Sequence, residues 1–245
     1  MKIHQLHAFD DNFIFVVEKN EKAMVVDPGE ADAVIKFLSE KNLKLEIILL
    51  THCHQDHIGG VKQLIQRYRD VKVLGPSRLV DFNISPDQIL GDSKTFEFEQ
   101  TYWQCFALPG HTLDHLGYYD AQKKVLFCGD VLFSLGCGRL FEGSFEQGYQ
   151  SLQKIKSLDP ETQVYCAHEY TLANCNFHID AKIAPTQEYL ELKSLIRERL
   201  SRNEDTIPTK LDFELKNNAF LIAQSLEEFT ELRLKRNKFV NREEK

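Results

Sequence analysis

The apolar run LEIILL, residues 45–50, passes without a spacer into THCHQDHIGG, residues 51–60. An unbroken apolar run of this kind reads as a strand buried on both faces. His52, His54, Asp56 and His57 follow at once. Ile58, Val61, Leu64, Ile65 and Tyr68 then recur with helical spacing. The polar cluster therefore occupies a loop between the C-terminal end of a buried strand and a helix. In α/β sheets that is a usual place for chemistry.

His52 and His54 are two apart, so in extended backbone they point the same way while Cys53 points away. Asp56 and His57 lie on the turn that follows. Neutral imidazoles with a carboxylate suit a borderline divalent ion, zinc first, with iron and manganese as alternatives. Four such side chains from one short loop cannot all crowd one ion and leave room for substrate. Two ions would divide them, and further ligands must come from elsewhere. His111 in LPGHT, Asp130 in FCGDVLF and His168 in YCAHEY each follow a buried-looking strand, so all can gather at one sheet edge. A carboxylate such as Asp130 can bridge two ions, which a single imidazole nitrogen cannot. The competing reading of any histidine is a surface or hydrogen-bonded core residue. That reading suits His4, His7 and His178. It does not suit the HxHxDH run, which without metal would crowd polar groups needing partners at a buried strand end.

The rest of the chain supplies a frame for this loop. NFIFVVE and KAMVVDPG read as strands around an Asn-Glu turn, and Ala31, Val34, Ile35 and Leu38 as a helix. VKVLG, TFEFEQ, WQCFALPG, LGYYD, KVLFCGDVLF and QVYCAH read as further strands, and Ser144 with Gln147 as a capping box opening a helix. Beyond Glu169 helical spacing dominates, as in Tyr189, Leu192, Ile196 and Leu200. The expected organisation is a mixed α/β unit over residues 1–168 and a mostly helical unit over 169–245. Asp27, closing the strand MVVDPG, is either a partner for a ligating imidazole or a plain turn residue before Pro28 and Gly29.

Composition narrows the function. The 245 residues are 42% apolar, enough for a core. Lys and Arg total 30 against 37 Asp and Glu, a formal charge of −7, which argues against a nucleic-acid sleeve or a basic membrane-surface binder. The N-terminal stretch is not read as a signal peptide, because its apolar run, residues 13–17, is short and follows acidic residues. No stretch approaches a membrane span. Six cysteines without a CxxC pair predict free thiols in a reducing cytoplasm.

The chain resembles the metallo-β-lactamase superfamily, whose signature is HxHxDH with later His, Asp and His. Within it the resemblance is to glyoxalase II, the hydroxyacylglutathione hydrolases. FDDNFIFVV, VVDPG, THCHQDHIGGV, PGHT, LFCGDVLFSLGCGRLFEGS and CAHEYTLANCNF come in that family's order and spacing along essentially the whole chain. The resemblance implies an α/β fold, an αββα sandwich, with a smaller C-terminal helical domain that binds glutathione. It implies His52, His54 and His111 on a first metal, Asp56, His57 and His168 on a second, and Asp130 bridging them. Asp56 and Asp130 are then the catalytic carboxylates. Arg139, Tyr170, Arg233 and Arg236 resemble the glutathione contacts, and Phe141 stands where some members carry a tyrosine near the substrate. The implied reaction is hydrolysis of S-(2-hydroxyacyl)glutathione, S-D-lactoylglutathione foremost, by a hydroxide between two divalent ions, as in methylglyoxal detoxification. A thiolate whose parent thiol has a pKa of about 8.5 leaves without a dedicated acid.

The family pattern is broken at Cys53, Asp114 and Phe141, and by an arginine missing near NNAFLIA. Taken alone, Arg233 and Arg236 read as a solvated basic last turn that complements a helix dipole; the resemblance turns them toward glutathione. The rival readings are a mononuclear-iron persulfide dioxygenase-type enzyme, a zinc β-lactamase, a nuclease of the same superfamily, and a metal-stabilised binding module. A cytoplasmic monomer without nucleic-acid or membrane partners is expected.

Overall fold

The computed structural model describes residues 1–183 and 186–241. Its first sheet orders β1 (Lys2–Ala8), β2 (Asn12–Lys19), β3 (Lys22–Val26), β4 (Lys44–Leu49), β5 (Lys72–Gly75) and β6 (Gln88–Ile89) from edge to edge. The first three strands run antiparallel, and pairing from β3 to β6 is parallel. Parallel neighbours need crossovers. α1 (Asp32–Lys41) makes the first, and α2 (Gln55–Ile58) with α3 (Val61–Arg67) makes the second. The helix expected from Ile58 to Tyr68 is thus two pieces parted at Gly59 and Gly60.

The second sheet is built from β7 (Thr95–Phe98), β8 (Thr101–Ala107), β9 (Leu116–Asp120) and β10 (Val125–Gly129). A small ribbon of β11 (Leu132–Phe133) and β12 (Gly136–Cys137) follows, then α4 (Phe145–Lys156), which returns the chain to β13 (Gln163–Cys166) beside β10. Ser144 and Gln147 form the capping box that starts α4. The expected strand KVLFCGDVLF is therefore split, and Asp130 sits in the split.

Alternation on the strands builds both sides of the first sheet. Phe13, Phe15, Val17, Ile47 and Leu49 enter a core shared with Trp103, Tyr118 and Phe127 of the second sheet. Ile14, Val16, Ile48 and Leu50 face the other way and pack against Val34, Leu38, Val61 and Leu64 of the helices. LEIILL is buried on both faces for this reason, apart from Glu46 at its start. At roughly 25 cal/mol per Å² of apolar surface, this double burial fixes the register and hence the place where the strand ends.

After His168 come α5 (Thr171–Asp180), α6 (Thr186–Ser201), a two-residue β14 (Thr209–Lys210), α7 (Leu211–Asn217), α8 (Ala219–Ile222) and α9 (Leu226–Lys238). β14 adds itself to the second sheet against β13. Phe220 and Phe229 belong to the same core as Phe127, so the helices share the sandwich's interior. No helix among the described residues is long and apolar enough to cross a membrane.

Candidate metal centre

The strand ends gather as their order requires. His52 and His54 follow β4, His111 follows β8, Asp130 follows β10 and His168 follows β13. Two groups result: His52, His54, His111 and Asp130, and Asp56, His57 and His168, with the ligand-type atoms of each group within 4.8 Å of one another. Asp130 touches both. Its carboxylate lies 3.3 Å from His111 Nε2 and 3.4 Å from the Nε2 atoms of His57 and His168.

Each approach has a local cause. Gly129 has φ 48°, and a Cβ there would sit 2.6 Å from Thr51 Oγ1 and 2.7 Å from His115 Nε2. Only glycine leaves room for the backbone to pass this close to Thr51 and His115. The turn aims the Asp130 N–H at His115 Nε2, 3.1 Å away. Gly29 meets Asp56 in the same manner, since a Cβ would lie 1.8 Å from the Asp56 carbonyl oxygen.

The outer nitrogens of His52, His57, His111 and His168 are occupied. Asp27 accepts from the Thr51 N–H, from the Thr51 hydroxyl and from His57 Nδ1, at 2.8, 2.7 and 3.0 Å. This decides between the two readings of Asp27: it holds a ring of the cluster. With its proton given to Asp27, the Thr51 hydroxyl oxygen accepts from His52 Nδ1 at 3.0 Å. His111 Nδ1 donates to the Arg139 carbonyl at 2.8 Å, and His168 Nδ1 to Asp11 at 2.7 Å. The facing nitrogens then carry lone pairs. His54 Nδ1 lies 3.0 Å from His52 Nε2 and 2.9 Å from His111 Nε2, and one proton cannot satisfy all three. His57 Nε2 and Asp130 Oδ1 are buried without a hydrogen-bond partner. Buried, convergent and unpaired donors of this type fit metal ions.

Charge separates the groups. Burial holds His52 well below the ordinary histidine range and also lowers His111. Burial acts the same way on His57 and His168, but the carboxylates around them overcome it, Asp130 foremost, and both are raised. For Asp130, burial opposes ionisation and the His57 and His168 charges prevail, holding it well below the carboxylate range. Asp56 is lowered likewise, with His168 and His57 outweighing burial.

A cleft of about 470 Å³ opens over the cluster, walled by Phe133, Arg139, Phe141 and Tyr170. Tyr170 stacks on His168 with ring centroids 4.8 Å apart. Phe141 is 60% exposed and stands edge-on to His54 and His111, with the Arg139 guanidinium 5.3 Å from its centroid. Cys53 turns away from the histidines, its thiol 3.6 Å from Asp114. Arg233 and Arg236 are not among the residues that wall this cleft. The Arg233 side chain is buried, donates to the Cys137 carbonyl at 2.7 Å and lies over Phe220. A desolvated guanidinium needs such acceptors, and the β11–β12 ribbon offers one. Arg236 faces the Asn174 amide oxygen at 3.3 Å, between Phe177 and Phe239.

Sequence reasoning missed Asp11, Asn12, Thr51 and His115. His115 stacks on His52, 4.7 Å between centroids, besides receiving the Asp130 N–H. Its signal was a second histidine four residues after His111 at a strand start.

The sequence profile of the metallo-β-lactamase superfamily matches residues 8–168, which include β2 to β13 and every residue of the two groups. The hydroxyacylglutathione hydrolase of Bdellovibrio bacteriovorus is 43% identical over 239 residues, covering 94% of this chain and 95% of that protein. The one of Prochlorococcus marinus (strain MIT 9301) is 42% identical and covers 96% of each. The chain belongs to the hydroxyacylglutathione hydrolase family of that superfamily. Among solved structures, ETHE1 from Myxococcus xanthus superposes with a TM-score of 0.71 over 99% of this chain and 93% of its own, at 23% identity, a likeness of fold alone.

Proposed function

We propose that the protein hydrolyses S-(2-hydroxyacyl)glutathione thioesters, S-D-lactoylglutathione foremost, to glutathione and the free hydroxy acid. The observation that carries this is the meeting of two His/Asp groups on Asp130 at the floor of an open cleft, in a chain over 40% identical along its length to hydroxyacylglutathione hydrolases. His52, His54, His111 and Asp130 would hold one divalent ion, and Asp56, His57 and His168, with Asp130 shared, a second; zinc suits them, as do iron and manganese. Such ions, when bound, supply a strong nucleophile from water near neutral pH and polarise a carbonyl.

The chain's own residues do the rest. Phe133, Phe141 and Tyr170 give the cleft over the two groups an apolar wall for the substrate. Arg139 stands at the rim as the cation for a glutathione carboxylate. Asp56 and Asp130 are held ionised, so neither serves as a general acid. A thiolate leaving group, with a parent pKa of about 8.5, needs none. Residues 1–168 bear the metals in this reading, and residues 169–245 complete the substrate side, through Tyr170 directly and through Arg236 at the end of α9. Arg233 acts at one remove, holding the ribbon that precedes Arg139. Six buried free cysteines suit a reducing cytoplasm, and a monomer suffices for the site.

The test is metal-replete purified protein with S-D-lactoylglutathione, following loss of the thioester and measuring metal in the same sample. Thioester loss with about two ions per chain is expected. No hydrolysis overturns the activity. Hydrolysis with one ion per chain overturns the two-ion reading and leaves the activity standing.

A further inference from the structure

The β1–β2 hairpin belongs to the first sheet, yet its tip ends beside His168, just past the end of β13 in the second. Phe9, in the left-handed region at φ 52°, turns the loop back. The Phe13 N–H then donates to the Ala167 carbonyl at 2.8 Å, and the Glu169 N–H to the Asp11 carbonyl at 2.9 Å. Asn12 and His168 pair as an antiparallel bridge. This short seam delivers two side chains. Asp11 Oδ1 accepts from His168 Nδ1 at 2.7 Å, and Asn12 Nδ2 donates to Asp56 Oδ2 at 2.9 Å. Each therefore holds one member of the second ligand group, and neither bonds to the first among the described residues.

The first group is supported differently. His52 rests on a hydroxyl and His111 on a carbonyl, both neutral. His57 and His168 rest on carboxylates. A carboxylate on the outer nitrogen fixes the ring and makes the facing nitrogen a better donor. Asp27 cannot act on one group alone, because it bonds His57 directly and reaches His52 through Thr51. Asp11 has no such link. Its side chain is 40% exposed, so shortening it opens no buried cavity. Asn12 is buried, and its amide fixes the plane of the Asp56 carboxylate.

We propose that Asp11 and Asn12 are positioning residues that set the affinity of the second metal ion and leave the first untouched. The inference rests on the two-ion reading above. The experiment is a chelator-competition titration of metal-stripped protein with zinc alone, giving a dissociation constant for each ion. It is run on the wild type, Asp11→Ala, Asp11→Asn and Asn12→Ala, with the thermal midpoint of each metal-free protein. Asp11→Ala is expected to weaken the second ion about 10- to 100-fold and the first by less than about twofold, with little change in midpoint. Asp11→Asn should recover part of the loss, since an amide oxygen still accepts from His168 Nδ1 without the charge. Asn12→Ala should weaken the second ion in the same selective way. Equal weakening of both ions, or no change in either, overturns the inference while leaving the two-ion reading intact. A wild type that takes up one ion overturns both.

Discussion

His52 and His111 lean on neutral oxygens, whereas His57 and His168 lean on carboxylates, and the protons follow that division. In the first group burial wins and lowers His52 and His111. In the second the surrounding carboxylates win, and His57 and His168 are raised. One half of the centre is thus a set of neutral lone pairs ready for an ion. In the other, the carboxylates around His57 and His168 favour the charged rings, so an entering ion must compete with protons there. Two sites built from the same residue types, a few ångströms apart, differ through what lies behind each ring.

The largest effect should come from removing what the halves share. Asp130→Ala is expected to lose both ions and thioesterase activity together, by more than the roughly 100-fold that loss of a supporting partner costs. Metal analysis and turnover on the same sample check this. Full retention of one ion would show that the groups are independent.

Acidity should separate the halves next. An ion entering the second group must displace protons from His57 and His168, whose pKa values lie above the ordinary value, so its affinity falls as pH falls. His52 and His111 of the first group are lowered instead, so they hold fewer protons for an ion to displace over the same range. Between about pH 8 and pH 6, the second ion should weaken about tenfold per unit for each proton displaced, and the first hardly at all. Zinc titrations at several pH values measure both constants; equal slopes would erase the distinction.

The smallest effect is expected at Cys53, which lies between two histidines of the first group but faces Asp114. Burial first, and Asp114 after it, push its thiol pKa up to about 12, and its sulfur points to Asp114 rather than into the cluster. Cys53→Ser offers Asp114 a hydroxyl in place of the thiol, and metal content and turnover should stay within about twofold, with stability within about 1 kcal/mol. Loss of the first ion would mean that the thiol is a ligand and that the loop is built differently.

Particular residues show why some of the site was legible in the sequence and some was not. The HxHxDH loop could be read because its geometry is local: strand alternation sets His52 and His54 to one side and Cys53 to the other. His111, Asp130 and His168 could be read as a set because each ends a buried strand, and sheet order brings such ends to one edge. The break between α2 and α3 was hidden because apolar spacing continues across Gly59 and Gly60. Arg233 and Arg236 were correctly placed three apart on one helix, but spacing names a face and not its neighbour. The neighbour of Arg233 is the Cys137 carbonyl, 96 residues away. Asp11 carried no signal at all, since its partner His168 lies 157 residues on.

By itself the sequence determined the buried strands, the residues at their ends, the kind of chemistry those residues suit and the family to which they belong. The strands and the chemistry follow from periodicity, side-chain direction and residue type, which are properties of short segments; the family follows from the order and spacing of its motifs along the chain. Only the tertiary structure decided what stands behind each ring: the Thr51 hydroxyl, the Arg139 carbonyl, Asp27 and Asp11. Those partners come from different strands and loops, and a hydrogen bond forms only where packing of both sheets brings donor and acceptor within about 3 Å.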